Sequence, residues 1–221
     1  MRSHRKLIYL ALLALLLTAS WGLGSDAKAA TSDLFISEYI EGSSFNKAIE
    51  IYNGTGSAVD LAAGNYTLEL YSNGAASPTA SMALTGTIAD GDVYVLAHAS
   101  ADAAILAEAD VTNSSVINFN GDDAVVLMFG GTVVIDSFGR VGEDPGSFWS
   151  CSEGDTANHT LRRLSSICSG DTTPDDPFDP CDEWTFAPVD TFSGLGNHIA
   201  DCGAVSDDLF RSWGSLKADF R

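Results

Sequence analysis

The chain is short of positive charge. It has 11 Lys or Arg against 30 Asp or Glu, a formal net charge of −19. Setting aside residues 1–30 removes Arg2, Arg5, Lys6, Lys28 and Asp26. The remainder has 7 basic and 29 acidic residues, a net charge of −22. A field of that sign opposes attraction to nucleic acid or anionic lipid. It suits divalent-cation binding or plain solubility, and solubility is the simpler reading. After residue 30 no apolar run is long enough to cross a bilayer. No CxxC pair occurs, which argues against a zinc site. No GxSxG elbow and no HExxH helix can be found. The histidines are His4, His98, His159 and His198, and nothing in the sequence sets one beside a nucleophile. A triad assembled across the fold stays open. No repeat of solenoid period is present.

What is present starts with an export signal. Arg2, His4, Arg5 and Lys6 precede an apolar run over 7–17, and Ala27-Lys28-Ala29 offers small residues at signal-peptidase spacing. The sequence therefore predicts a signal peptide over 1–30, cleaved after Ala29 or Ala30, and a secreted protein. The alternative is an uncleaved anchor, since Trp21, Gly22 and Gly24 lengthen the apolar stretch. All four cysteines, Cys151, Cys168, Cys181 and Cys202, lie in the exported part. An even number in an oxidising compartment reads as two disulfides. Of three possible connectivities, the expected one is sequential, Cys151–Cys168 and Cys181–Cys202, each bond contributing about 3 kcal/mol.

From residue 33 on, short apolar runs alternate with turn residues. Strands are predicted over 34–40, with Leu34, Ile36 and Ile40 on one side, and over 48–53, with Ile49 and Ile51 inward. Further strands are predicted over 66–72, with Leu68 and Leu70 inward, and over 93–97, 124–129 and 132–138. Gly130-Gly131 marks a hairpin. Period-two alternation means half-buried strands, and six or more of them predict an all-β, immunoglobulin-like sandwich over 31–164. The alanine-rich segment 99–109 reads as a short connecting helix, with His98 capping its entry. After about residue 139 the composition turns to Gly, Asp, Pro and Cys. Few strands are expected there apart from 159–164, and Trp149 and Trp184 stand as isolated anchors. Residues 165–203 read as a disulfide-pinned extension wrapped on the sandwich, and 204–221 as a tail, loosely ordered or helical.

Several segments resemble a known family. They are Leu34-Phe35-Ile36-Ser37-Glu38-Tyr39-Ile40-Glu41-Gly42, Ala48-Ile49-Glu50-Ile51-Tyr52-Asn53, Gly121-Asp122-Asp123-Ala124-Val125-Val126-Leu127 and Val134-Ile135-Asp136-Ser137-Phe138-Gly139. Together they look like a lamin-tail domain. Thr160-Leu161-Arg162-Arg163 and the run from Asp190 to Gly196 are similar to the stretch after that domain in secreted bacterial nucleases. The resemblance implies an immunoglobulin-like fold, with protein and DNA contacts as in nuclear lamins. In bacteria it implies association with a metal-dependent endonuclease/exonuclease/phosphatase domain, and no such catalytic half can be read in this chain.

Three sets of residues are candidates for a site. Asp171, Asp175, Asp176 and Asp179 bring hard oxygens together in one loop, as calcium requires. Their Pro-rich spacing is not that of an EF-hand, and a plain acidic turn is the competing reading. Glu50 and Tyr52, with Thr67, Glu69 and Tyr71, could form one exposed sheet face for a protein or a sugar. They could equally be ordinary cross-strand pairs, or lie under the Cys-rich extension. Arg140, Arg162 and Arg163 could touch phosphate, but pairing with neighbouring acids is expected instead. No catalytic residue is assigned, and calcium is the only cofactor in view. The sequence thus predicts a secreted, non-catalytic binding or targeting module with an extracellular protein partner in preference to nucleic acid. The alternatives are a truncated piece of such a nuclease and a calcium-dependent surface or adhesion protein.

Overall fold

The computed structural model describes residues 31–202. The predicted signal peptide and the 204–221 tail lie outside the described residues. The chain runs β1 (Phe35–Glu41), β2 (Lys47–Tyr52), β3 (Val59–Asp60), β4 (Thr67–Tyr71), β5 (Ala80–Ala83), β6 (Thr87–Ile88) and β7 (Val93–Ala97). Then come α1 (Ala103–Glu108), β8 (Val111–Thr112), β9 (Ala124–Phe129), β10 (Val133–Phe138), β11 (His159–Arg163), α2 (Pro180–Glu183) and β12 (Trp184–Ala187). A six-stranded sheet, ordered β12-β11-β1-β2-β7-β8, faces a four-stranded sheet, β10-β9-β4-β5; β3 and β6 pair separately. The expected immunoglobulin-like sandwich is what the chain forms.

The alternation that predicted the strands also builds the core. Ile49 and Ile51 from one sheet meet Leu68, Leu70, Val125 and Leu127 from the other. The β9–β10 hairpin turns at Gly130 and Gly131, both at positive φ, with Thr132 N donating to Phe129 O. That double left-handed turn matches strand twist and favours glycine at both places. A column of rings fills the end nearest the extension. Tyr39 stacks on Phe119 and Phe138, and Phe138 meets Trp184 and Phe178 edge-on. The two anchors, Trp149 and Trp184, are both buried.

Strand β1 departs from strict alternation. Its register with β2 shifts between Ile36 and Glu38, so Ser37 is the extra residue of a bulge. The bulge puts Tyr39 in the central core and sends Ile40 to the opposite face, away from Leu34 and Ile36. Ile40 therefore does not share their side, contrary to the expectation. The helix is shorter than 99–109. His98 Nδ1 accepts from Ser100 N, the chain turns once more, and Asp102 then caps α1 through Ala104 N. The extension also supplies a strand the sequence did not reveal, since β12 pairs with β11 through Arg163↔Trp184 to Thr160↔Ala187.

That pairing explains a second correction. The disulfides are Cys151–Cys181 and Cys168–Cys202, not the sequential pairs. The sequential expectation assumed two local loops. Because α2 and β12 fold back along β11, Cys181 returns to Cys151, while Asp201 N bonds Ser165 O and brings Cys202 to Cys168. The bonds interlock along the chain, closing loops with sequence separations of 30 and 34. By loop entropy each contributes about 3–4 kcal/mol.

One ion pair joins these parts. A second bulge, between Val134 and Asp136, turns the Asp136 carboxylate into the joint between the sheets. It accepts from Ile36 N of β1 (2.6 Å), from Asp171 N of the extension (2.8 Å) and from Arg163 Nη1 of β11 (2.8 Å). Both Asp136 and Arg163 side chains are fully buried. Removing one partner of such a pair leaves an uncompensated charge in the interior, at a cost of about 3–5 kcal/mol. Asp136→Leu and Arg163→Leu are each expected to lose about that much in urea unfolding. The double variant should lose clearly less than the sum. Additive losses in the cycle would show that the two side chains act separately.

Candidate functional site

The expected Glu50/Tyr52 and Thr67/Glu69/Tyr71 face does not exist as one surface. The first pair sits on β2 of the six-stranded sheet, the other three on β4 of the four-stranded sheet. Glu50 and Tyr52 are also buried, at 1% and 2% exposure. They do point away from the core, but residues 190–200 return across them, as the third reading of those residues allowed. Thr67, Glu69 and Tyr71 lie half-buried on the outer side of the other sheet, and Tyr71 OH donates to Glu69.

The returning strap is fixed at both ends. Asp190 accepts from Ser43 N, Ser43 Oγ and Asn46 Nδ2, and Cys202 closes the far end on Cys168. Hydrogen bonds from Ser43 and Asn46 hold the Asp190 carboxyl below its ordinary pKa. Between those ends Leu195 and Phe192 cover Ile40, Val95 and Ile105, and Ala200 seals Phe35 and Tyr52.

Under the strap a row of charges crosses three strands. Arg162 of β11 pairs with Glu38 of β1, and Glu38 lies opposite Glu50 of β2. Arg162 Nε donates to Glu38 at 3.1 Å. Glu50 accepts from Ser37 Oγ at 2.6 Å and from Gly196 N at 2.7 Å. Gly194 passes where a Cβ would overlap the Arg162 guanidinium and the Glu38 carboxylate, so a larger residue would have to displace that pair for the strap to close. Glu38 Oε1 and Arg162 Nη2 are buried with no hydrogen-bond partner among the described residues. Burial pushes the Glu38 carboxyl from 4.5 up to about 7, with Arg162 pulling it back and Glu50 adding to the rise. Burial raises Glu50 too, against its bonds from Ser37 and Gly196. Sequence reasoning missed this row. Its one signal was a glutamate flanked by apolar residues in the middle of a predicted strand.

The acidic loop forms a cleft. Asp171, Asp176 and Asp179, joined by Asp182, Glu183 and Ser137, line a space of about 250 Å³ floored by Phe178 and Trp184. Asp175 is not in the lining; its carbonyl accepts from Arg140 Nε. Two of the carboxylates are occupied locally. Asp171 accepts from Ser137 Oγ and Thr173 N, and Asp179 caps α2 through Cys181 N. Among the described residues, only Cys151, Asp179 and Cys181 bring three ligand atoms within 4.8 Å of one another. Two of those sulfurs are joined as a disulfide.

These strands and motifs agree with a family comparison. The model of the Lamin Tail Domain matches residues 27–142. The chain belongs to the lamin tail domain family. No curated protein matches it.

In this lamin tail domain the positive charges of the described residues are paired internally. Lys47 pairs with Glu41 (2.7 Å), Arg140 with Glu143, Arg162 with Glu38 (3.1 Å), and Arg163 with Asp136 (2.8 Å) and Glu183 (3.1 Å). Every Lys and Arg among the described residues is thus engaged with a carboxylate. Two histidines make defined structural contacts. His98 stacks on Phe45 and accepts from Ser100 N in the turn before α1, burial and Lys47 together lowering its pKa. His159 lies 3.3 Å from Asp155 and meets the Phe186 ring edge-on.

The Glu38 row gives the lamin tail domain a pH dependence whose sign can be fixed. The folded state holds the Glu38 proton more tightly than the unfolded chain does. The stability this contributes is complete below about pH 4.5 and is lost as pH rises through about 7. Thermal unfolding should therefore move to higher temperature between pH 8 and pH 5. Glu38→Gln should flatten that slope, while Glu153→Gln on the exposed surface should leave it. Equal slopes in wild type and Glu38→Gln would refute the assignment.

Proposed function

We propose that this chain is a secreted, non-catalytic lamin-tail module that makes protein contacts outside the cell. The alternative role, which the resemblance implies, is that of an accessory to a secreted nuclease or phosphatase. The observation that carries the reading is the charge balance. The exported part has a net charge of −22, and each described cation is already held by a carboxylate. A protein that neutralises several phosphates needs a cluster of free Lys or Arg, and the described surface supplies none. Two disulfides fit an oxidising compartment. No described helix is long and apolar enough to cross a membrane.

A titration of labelled duplex DNA tests the reading. At about 150 mM salt no saturable binding is expected, and no cleavage with magnesium, manganese or calcium. Sub-micromolar binding with a steep salt slope, lost in Arg162→Glu, would replace the protein partner with nucleic acid.

A second reading, calcium loading, draws on the cleft that gathers Asp171, Asp176, Asp179, Asp182 and Glu183. It predicts that millimolar calcium, more than magnesium, raises the unfolding temperature, and that Asp176→Asn abolishes the rise. Equal shifts with both ions would dismiss it.

A further inference from the structure

Sheet edges carry unpaired N–H and C=O groups, and proteins usually guard them with charge, proline, bulges or short strands. Three of the four edges of the two main sheets are guarded. The β10 strand is bulged, and Gly170 packs against the Ile135 carbonyl. Strand β8 is two residues long, and β12 is bracketed by Glu183 and Pro188.

Strand β5 is the exception. Its register with β4 runs without a bulge, and β4 is its only strand neighbour. It holds no proline and no charge, and it lies within residues 70–89, the longest charge-free run of the chain. The free groups can be identified. Leu84 N donates to Tyr66 O at 2.8 Å, and hydrogen-bonded pairs alternate along an antiparallel ladder. Met82 is therefore bonded to β4, Thr79 N donates to Leu70 O at the strand's start, and Ser81 and Ala83 direct their N–H and C=O groups to the open edge. The side chains of Ser81 and Ala83 are small and exposed, so nothing bulky blocks a strand laid alongside.

We propose that the β5 edge is a self-docking surface, at which a second copy pairs antiparallel and joins two four-stranded sheets into one of eight strands. The edge is self-complementary. A twofold axis through Met82 sets Ser81 of each copy opposite Ala83 of the other, so the outward groups of one strand meet those of its mate. Electrostatics permit pairing here, since β5 itself carries no acid and Glu69, opposite Ser81, is set one strand back from the edge. Copies of a chain with a net charge of −22 repel wherever their acids face each other, and a strand without charge lowers that cost at the contact itself. Two four-residue strands bury well under the roughly 1,200 Å² of a stable interface. The association is therefore weak and concentration-dependent, and salt strengthens it by screening the repulsion.

Sedimentation velocity of the exported chain, over a wide concentration range at about 20 mM and about 500 mM salt, tests the idea. The expected result is a monomer–dimer equilibrium that tightens several-fold at high salt. Ser81→Pro removes one outward N–H and leaves the inward ladder intact, and should weaken the dimer about tenfold. If that variant fails to fold, Ala83→Glu sets like charges against each other across the axis and should also dissociate it. A monomer at every concentration would overturn the proposal, as would a dimer indifferent to both substitutions. A capture of basic extended peptides that weakens with salt, in place of self-pairing, would overturn it too and assign the edge to a cationic partner. This docking is separate from the protein-partner reading, which a purely monomeric result would leave standing.

Discussion

The buried pair of Asp136 and Arg163 is the constraint on which the rest of the structure depends. Its carboxylate belongs to the four-stranded sheet and its guanidinium to the six-stranded one. Asp136 also holds the Ile36 and Asp171 amides, so one side chain ties together β10, β1, β11 and the extension. Arg163 is held in turn between the rings of Phe35 and Trp184 and reaches Glu183. An ion pair in such a place gives little net stability against an apolar substitute of the same shape. What it gives is register. An Asp136 shifted by one residue would lose its amides and its cation at once, so the bulge in β10 and the close approach of Gly170 to Asp136 arise from a single requirement.

The same economy shapes the surface. The chain has few cations, and folding commits each described one to an acid nearby or beneath the strap. Among the described residues the outward field is then dominated by carboxylates. The uncharged stretch around β5, residues 70–89, is a local exception. The described cations that hold the interior together are thereby withdrawn from any role on the surface.

Much of the architecture could be read from the sequence. Ile49 and Ile51, and Leu68 and Leu70, carry alternation strong enough to fix both strands and inner faces. Two-residue strands such as β3, β6 and β8 are too short to show a period. The face of Ile40 was misread because a single extra residue at Ser37 reverses alternation, and no composition signals it. Glu50 and Tyr52 looked exposed because polar residues on a strand normally are; their burial depends on a strap more than a hundred residues downstream. The disulfide pairing failed for a related reason. It depends on β12 lying beside β11, and Trp184-Thr185-Phe186-Ala187 is too brief a run to declare itself a strand. Asp136 and Glu38 carried a faint signal, each an acid set within an apolar strand, and both prove to have cationic partners distant in sequence.

Those distant partners bear on where the domain ends as a physical unit. The family match stops at residue 142, after β10. Arg163, the cation of Asp136, comes later, as do Arg162, β12 and the strap over Phe35, Ile40, Tyr52 and Val95. A chain ending at the match would bury Asp136 without its cation, leave Glu38 without Arg162, and expose the outer apolar face of the six-stranded sheet to water. Each of those costs is of the order of a few kcal/mol, and a domain's whole stability is only about 5–15 kcal/mol. The residues after 142 are therefore part of the folding unit. The interlocked disulfides, whose four cysteines all lie in that later part, fasten the segment whose charges and apolar cover the sandwich requires.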